Sequence, residues 1–108
     1  LKLAKRQGER DQEGRSTIAL GRVIGKGDPS QSAKAEALIL EGISVLEQLK
    51  LKTYQAEGHL CLGELYADAG QKEKALTTLK TAEGMFREMS MDYYVAKAEK
   101  VLRKLKGR

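Results

Sequence analysis

The sequence predicts an all-α fold, an α-solenoid of antiparallel helix pairs with about two and a half pairs in 108 residues. Three observations predict it. Apolar residues recur at three-and-four spacing without strand-type alternation, the pattern repeats at an offset of 40 residues, and turn signals interrupt it at matching places. The spacing is plainest over residues 33–49. There Ala35, Leu38, Ile39, Gly42, Ile43, Leu46 and Leu49 form one continuous apolar face when wound as a helix.

The repeat appears when the chain is slid along itself. Residues 45–56 fall on 85–96, so that Val45/Met85, Leu46/Phe86, Leu49/Met89, Leu51/Met91, Tyr54/Tyr94 and Ala56/Ala96 coincide. An offset of 42 places Gly14 on Ala56, Leu20 on Leu62 and Gly21 on Gly63, so the same unit begins again upstream. The two-residue difference is assigned to a longer turn around Gly27-Asp28-Pro29.

Start and stop signals divide the chain into elements. Residues 1–7 read as the end of a preceding helix, followed by helices at about 10–26, 29–50, 53–69, 72–90 and 92–106. Gly27 suits a left-handed C-terminal cap. Asp28-Pro29-Ser30-Gln31 then offers an N-cap aspartate, proline at the first helical position and glutamine at the third. Ala69-Gly70-Gln71 separates two helical patterns, and Thr53 and Asp92 are the expected N-caps of the helices they open.

Composition narrows the function classes. A chain of 108 residues is a single domain, able to bury roughly 60 to 70% of its unfolded surface. One proline and 32% charged residues fit neither a collagen-like nor a disordered chain. The single cysteine, Cys61, excludes an intrachain disulfide, and one cysteine with one histidine cannot build a Cys/His zinc site. A reducing, cytoplasmic setting is therefore expected, with no metal and no cofactor. No apolar run approaches the roughly 18 residues of a membrane span, and no signal-peptide core is present, so no membrane role is expected. Opening at Leu1 inside a helical pattern, the chain reads as a piece of a longer protein. Its net charge of +5 is local: residues 97–108 hold six basic groups and one acidic group, whereas residues 1–96 hold 14 of each.

The central unit reads Leu62-Gly63-x-x-Tyr66, Ala69-Gly70, then Ala75-x-x-x-Leu79-x-x-Ala82. In these residues the chain resembles the tetratricopeptide repeat family, whose pattern is W-x₂-L-G-x₂-Y followed by A-x₃-F. The resemblance covers about residues 14–106 and implies a superhelix of helix pairs. In it, Gly63 and Ala75 would lie where two antiparallel helices approach most closely, with Leu62, Tyr66, Leu79 and Ala82 filling the seam. His59 stands at the tryptophan place and Arg87 at the closing proline, so the second helix is expected to run past the usual stop. Downstream, Leu102-Arg103 lacks the glycine, as in a last helix without a partner. The long unit and the phrase from Gly63 to Gln71 are also similar to repeat regions of large bacterial signalling proteins that carry a nucleotide cyclase or an ATPase module.

Such arrays receive peptides or neighbouring domains on the surface lined by the first helix of each pair. The resemblance places Arg15, Ile18, Ala19 and Arg22 there from the first unit. Glu57, Leu60, Cys61, Glu64 and Asp68 come from the second, and Lys97, Lys100, Val101 and Lys104 from the last. A protein-interaction scaffold with a peptide or domain partner is the expected function. The Lys and Asn that clamp a chaperone's terminal carboxylate in some relatives are replaced by Ile18, Arg22, Leu60 and Glu64, so no such clamp is expected. Catalysis is not expected either: Cys61 suits packing, and His59 has no Ser, Cys or carboxylate at a spacing that would build a triad. Two other readings remain open. Lys97, Lys100 and Lys104 could share a face toward nucleic acid or an acidic surface, although Tyr93 and Tyr94, the residues able to stack on bases, are expected in the core. End-to-end homodimerisation through uncovered terminal helices is the third.

Overall fold

In the computed structural model, which describes residues 2–107 and the side-chain surroundings of 8–107, all regular structure among the described residues is helical. Helix α1 (Lys2–Gly27) leads through a one-turn 3₁₀ segment (Pro29–Gln31) into α2 (Ser32–Gln48), then α3 (Lys52–Asp68), α4 (Lys72–Glu88) and α5 (Asp92–Lys106). From α2 onward, successive helices start 20 residues apart, so the 40-residue repeat in the sequence is two helices and two turns.

Three identical turns set that period. After α2, Leu51 N–H donates to Leu46 C=O at 3.0 Å and Lys50 N–H to Glu47 C=O at 3.0 Å. The same pair of bonds joins Gln71 to Tyr66 and Gly70 to Ala67, and again Met91 to Phe86 and Ser90 to Arg87. This is the Schellman arrangement, which satisfies orphan carbonyls and needs a left-handed residue just past the helix. Lys50 (φ 59°), Gly70 (φ 78°) and Ser90 (φ 55°) occupy it. Only Gly70 does so without steric cost.

The first turn differs. Asp28 accepts from Ser30 N–H at 3.0 Å and from the Ser30 hydroxyl at 2.7 Å, with Gln31 Nε2 at 3.3 Å, as the N-cap signal implies. Asp28 caps the 3₁₀ turn, however, and α2 proper starts only at Ser32. These extra residues account for the 42-residue offset upstream.

Several boundaries are corrected. Residues 2–7 are not the tail of a separate helix, Leu1 lying outside the described residues: α1 runs unbroken from Lys2 through Gly8, because one interior glycine lowers helix stability by about 1 kcal/mol without stopping it. Gly27 is the last residue of α1, and Gly70 is the only left-handed glycine among the described residues, so Gly27 is not the left-handed cap. Thr53 and Asp92 are not N-caps. Thr53 is the second residue of α3 and Asp92 the first of α5; the N-cap positions are Leu51 and Met91, neither of which makes a side-chain cap bond, because the Schellman turn already returns the backbone to helix. Thr53 Oγ1 instead donates to Met89 Sδ at 3.5 Å.

Each helix touches its neighbours in sequence, and α1 also touches α3 as α3 touches α5. The odd-numbered helices thus share one layer, and α2 and α4 lie on the other side. The Cα extents of 51 × 34 × 17 Å fit two layers, since the short dimension matches an 8–10 Å interaxial distance plus backbone radii. Ile39, Leu46, Leu79 and Phe86, all from the even helices, are the largest fully buried side chains. Burying each contributes about 1.5–3 kcal/mol.

Small residues let the layers meet. A Cβ on Gly21 would lie 2.8 Å from Ile39 Cγ1 and 2.9 Å from the Ala35 carbonyl oxygen, and one on Gly63 would lie 2.6 Å from Leu79 Cδ2. Gly63 is therefore at the close approach of α3 to α4, but the group it makes room for is Leu79, one turn beyond the fully buried Ala75. The matched pairs differ in one respect. Leu62 is buried, whereas Leu20 is 52% exposed because no described helix lies over that side of α1.

Candidate functional site

The parallel course of α1, α3 and α5 builds one face with three rungs. The first rung holds Arg15, Tyr54, Glu57 and Tyr94. Arg15 places its guanidinium 4.2 Å from the centre of the Tyr54 ring, a cation–π contact that bridges α1 and α3. Glu57 faces the Tyr94 phenol across α3 and α5. Its negative charge, and then its hydrogen bond, hold the phenolic proton and raise the Tyr94 pKa above the usual tyrosine value. The Tyr94 ring in turn stacks on Phe86, centroids 5.0 Å apart.

The middle rung surrounds Cys61. Burial is the main influence and pushes its thiol pKa up, with Glu64 and Glu57 adding to the rise and Arg22 and Lys97 opposing it. A protonated, half-buried thiol is a poor nucleophile. Glu64, whose side chain is 18% exposed, is held from α1 by Lys26 Nζ at 3.5 Å and more loosely by Arg22 at 4.0 Å. The last rung is the hollow between Lys26, Asp68, Val101 and Lys104, over Ala67 and Leu105.

Between α1 and α3 the face sinks into a cleft of about 370 Å³. Ile18, Leu46, Tyr54, Gly58 and Cys61 contribute to its lining, with Arg15 and Arg22 from the α1 side. Gly58 keeps the floor close, since a Cβ there would meet Ile43 Cγ1 at 2.6 Å and Ile18 Cδ1 at 3.0 Å.

Most of the sequence-derived residues meet on this face. Arg15, Ile18, Ala19, Arg22, Glu57 and Cys61 line the cleft, Glu64, Asp68, Val101 and Lys104 line the neighbouring hollow, and Lys97 acts on Cys61. Leu60 does not belong with them. At 4% exposure it is core: helical spacing puts it on the side of α3 that carries Glu57 and Glu64, but its side chain is covered. Ile18 is likewise 7% exposed and serves as floor rather than as a projecting contact. Lys100 is exposed on α5 but does not line either hollow. Tyr93, expected in the core, is 73% exposed and only edges against Tyr94, while Tyr94 is the one held inward.

Lys26, Tyr54 and Tyr94 are site residues that the sequence reading did not assign. The tyrosines carried a signal, since they coincide at the 40-residue offset, but aromatic residues at helical spacing read first as core. Lys26 lies one turn past Arg22, the spacing that repeats a helix face.

His59 is half-buried, and burial lowers its pKa below the usual histidine value against an opposing pull from Glu47. No group of three or more His, Cys, Asp or Glu side chains among the described residues is arranged to hold a metal ion. No described helix is long and apolar enough to cross a membrane. No protein-family model, no curated protein and no solved structure matches the chain.

Proposed function

We propose that the chain is a tetratricopeptide-like α-solenoid segment that docks an extended piece of another protein, or of a neighbouring domain, on the α1–α3–α5 face. The observation that carries this reading is the cleft between α1 and α3, with a predominantly apolar floor and charged residues from two helices at its edge. A site that buries apolar groups while a few polar groups fix orientation suits a ligand with alternating side chains. The raised Cys61 thiol supports binding over chemistry. A reducing, cytoplasmic setting fits the free thiol.

The test is a titration of the ¹⁵N-labelled chain with a pool of random nonapeptides. Amide shifts gathered on Arg15–Arg22, Glu57–Asp68 and Lys97–Lys104 are expected. Shifts gathered on the outer faces of α2 and α4 would defeat the reading.

A second reading rests on α5, where Lys97, Lys100, Arg103, Lys104 and Lys106 are all exposed. Contact with nucleic acid through these groups predicts oligonucleotide affinity that falls steeply with added salt. Absence of binding at low salt would remove it.

A further inference from the structure

The face described above is not charge-neutral, and its charges are ordered. Arg15, Arg22 and Lys26 come from α1 and Lys97 and Lys104 from α5, flanking a central rail of Glu57, Glu64 and Asp68 on α3. Among the described residues, the only ion pairs on this face join Glu64 to Lys26 and Arg22. Arg15, with its guanidinium carbon 4.2 Å from the Tyr54 ring centre, makes no ion pair among the described residues. Arg22, whose side chain is 45% exposed, reaches Glu64 only at 4.0 Å, beyond hydrogen-bond distance, and Glu64 retains Lys26 if Arg22 turns away. Two arginines are therefore available on the α1 edge of a cleft with a largely apolar floor.

We propose that this cleft takes one aliphatic side chain of an extended protein segment, flanked by carboxylates three or four residues apart that meet Arg15 and Arg22. The inference rests on the docking reading above and names the chemistry of its ligand. The spacing follows from the helix: seven residues of α1 separate the arginines, about 10.5 Å at 1.5 Å per residue. An extended polyproline-type segment covers about 9 to 12 Å in three or four residues, and residues three apart return to the same side. The α3 carboxylates decide against a uniform polyanion. A phosphate backbone laid along the face would run over Glu57 and Asp68, whereas a segment with only two local carboxylates avoids them.

The probes are fluorescent decapeptides with both ends blocked, carrying Glu-x-Leu-Glu in a Gly/Ser background, with Lys-for-Glu and Ala-for-Leu versions. The Glu–Leu peptide is expected to bind at least tenfold more tightly than either version by fluorescence anisotropy. Arg15→Glu with Arg22→Glu should invert the charge preference. Ala19→Trp, at the exposed rim, should remove binding with the circular dichroism spectrum and melting temperature unchanged. Equal binding of the Lys peptide, or an unaltered preference in the arginine double variant, overturns the proposal. So does an oligonucleotide that binds more tightly than the Glu–Leu peptide and is lost in the same variant. Random nonapeptides that shift this face without favouring the Glu–Leu pattern refute the ligand chemistry and leave the docking face standing. No shift from any peptide refutes both.

Discussion

Gly42→Ala and Gly84→Ala make the same chemical change in helix interiors and should move stability in opposite directions. Each replaces glycine by the best helix former, a gain of about 1 kcal/mol from backbone propensity. At Gly84 nothing lies within 4 Å of the added Cβ, so that gain should appear in full. At Gly42 the Cβ would lie 2.5 Å from Ile18 Cγ1 and 2.6 Å from the Gly14 carbonyl oxygen. Those separations are about 1 Å inside ordinary van der Waals contact. Ile18 is itself buried against Gly58, and the Gly14 oxygen is backbone, so relief requires α1 to move off α2. Overpacking of this kind costs about 1–3 kcal/mol or more, which leaves Gly42→Ala net destabilised by up to about 2 kcal/mol. The difference between the two variants cancels the propensity gain and isolates the contact, at about 1–3 kcal/mol. Urea unfolding at constant m-value measures it. If Gly42→Ala proves as stable as Gly84→Ala, α1 does not press on α2 at this point and the layer geometry is wrong.

Further outcomes follow from the turns, the half-buried histidine and the open side of α1. Lys50→Gly and Ser90→Gly should each stabilise by about 0.5–1 kcal/mol, because the left-handed backbone that strains a side chain there suits glycine, as at Gly70; thermal melts that fall in both variants would contradict the turn assignment. Because burial lowers the His59 pKa, the unfolded chain binds that proton more tightly than the folded one. Stability should therefore decline as pH falls below the ordinary histidine value of about 6.5 and level off below the folded value. The decline should vanish in His59→Gln, and an identical pH profile in that variant would assign the effect to other groups. Leu20 and Val23, 52% and 68% exposed on α1, should support concentration-dependent association by light scattering that Leu20→Lys with Val23→Lys abolishes. A monomer of the unaltered chain at high concentration would exclude it.

The helices were legible because their apolar periodicity is strong and local, and the 40-residue register survives even where Leu46 is exchanged for Phe86. Gly63 against α4 was legible for a related reason: a small residue at a fixed place in a repeat signals a close approach. The turns were read less well. Lys50 and Ser90 sit where a glycine would have announced a left-handed residue, so polar side chains nearby, Thr53 and Asp92, drew the N-cap assignment instead. Leu60 was misplaced by counting groove positions three and four apart on α3, when both sides of that helix are covered. Residues as different in direction as Leu60 and Leu62 are each 4% exposed, so polarity alone does not divide its faces.

The layer contacts also change what the net charge of +5 means. As a linear feature it is a basic tail, and a tail suggests a phosphate backbone. Folded, α5 lies along α3, and its cations divide. Lys97 and Lys104 look onto the central carboxylate rail, and Glu99 is taken by Arg87 at 2.6 Å. The remaining basic side chains of α5 stay in solvent. A surface in which cationic rows alternate with an acidic one selects by charge order rather than by total charge, because a like-charge mismatch costs more than one correct pair returns. Three helices must be in register for that order to exist. Charge reversal at Lys97 or Lys104 thus bears on ligand choice, whereas the same reversal at Lys100 or Lys106 bears on solubility and long-range attraction.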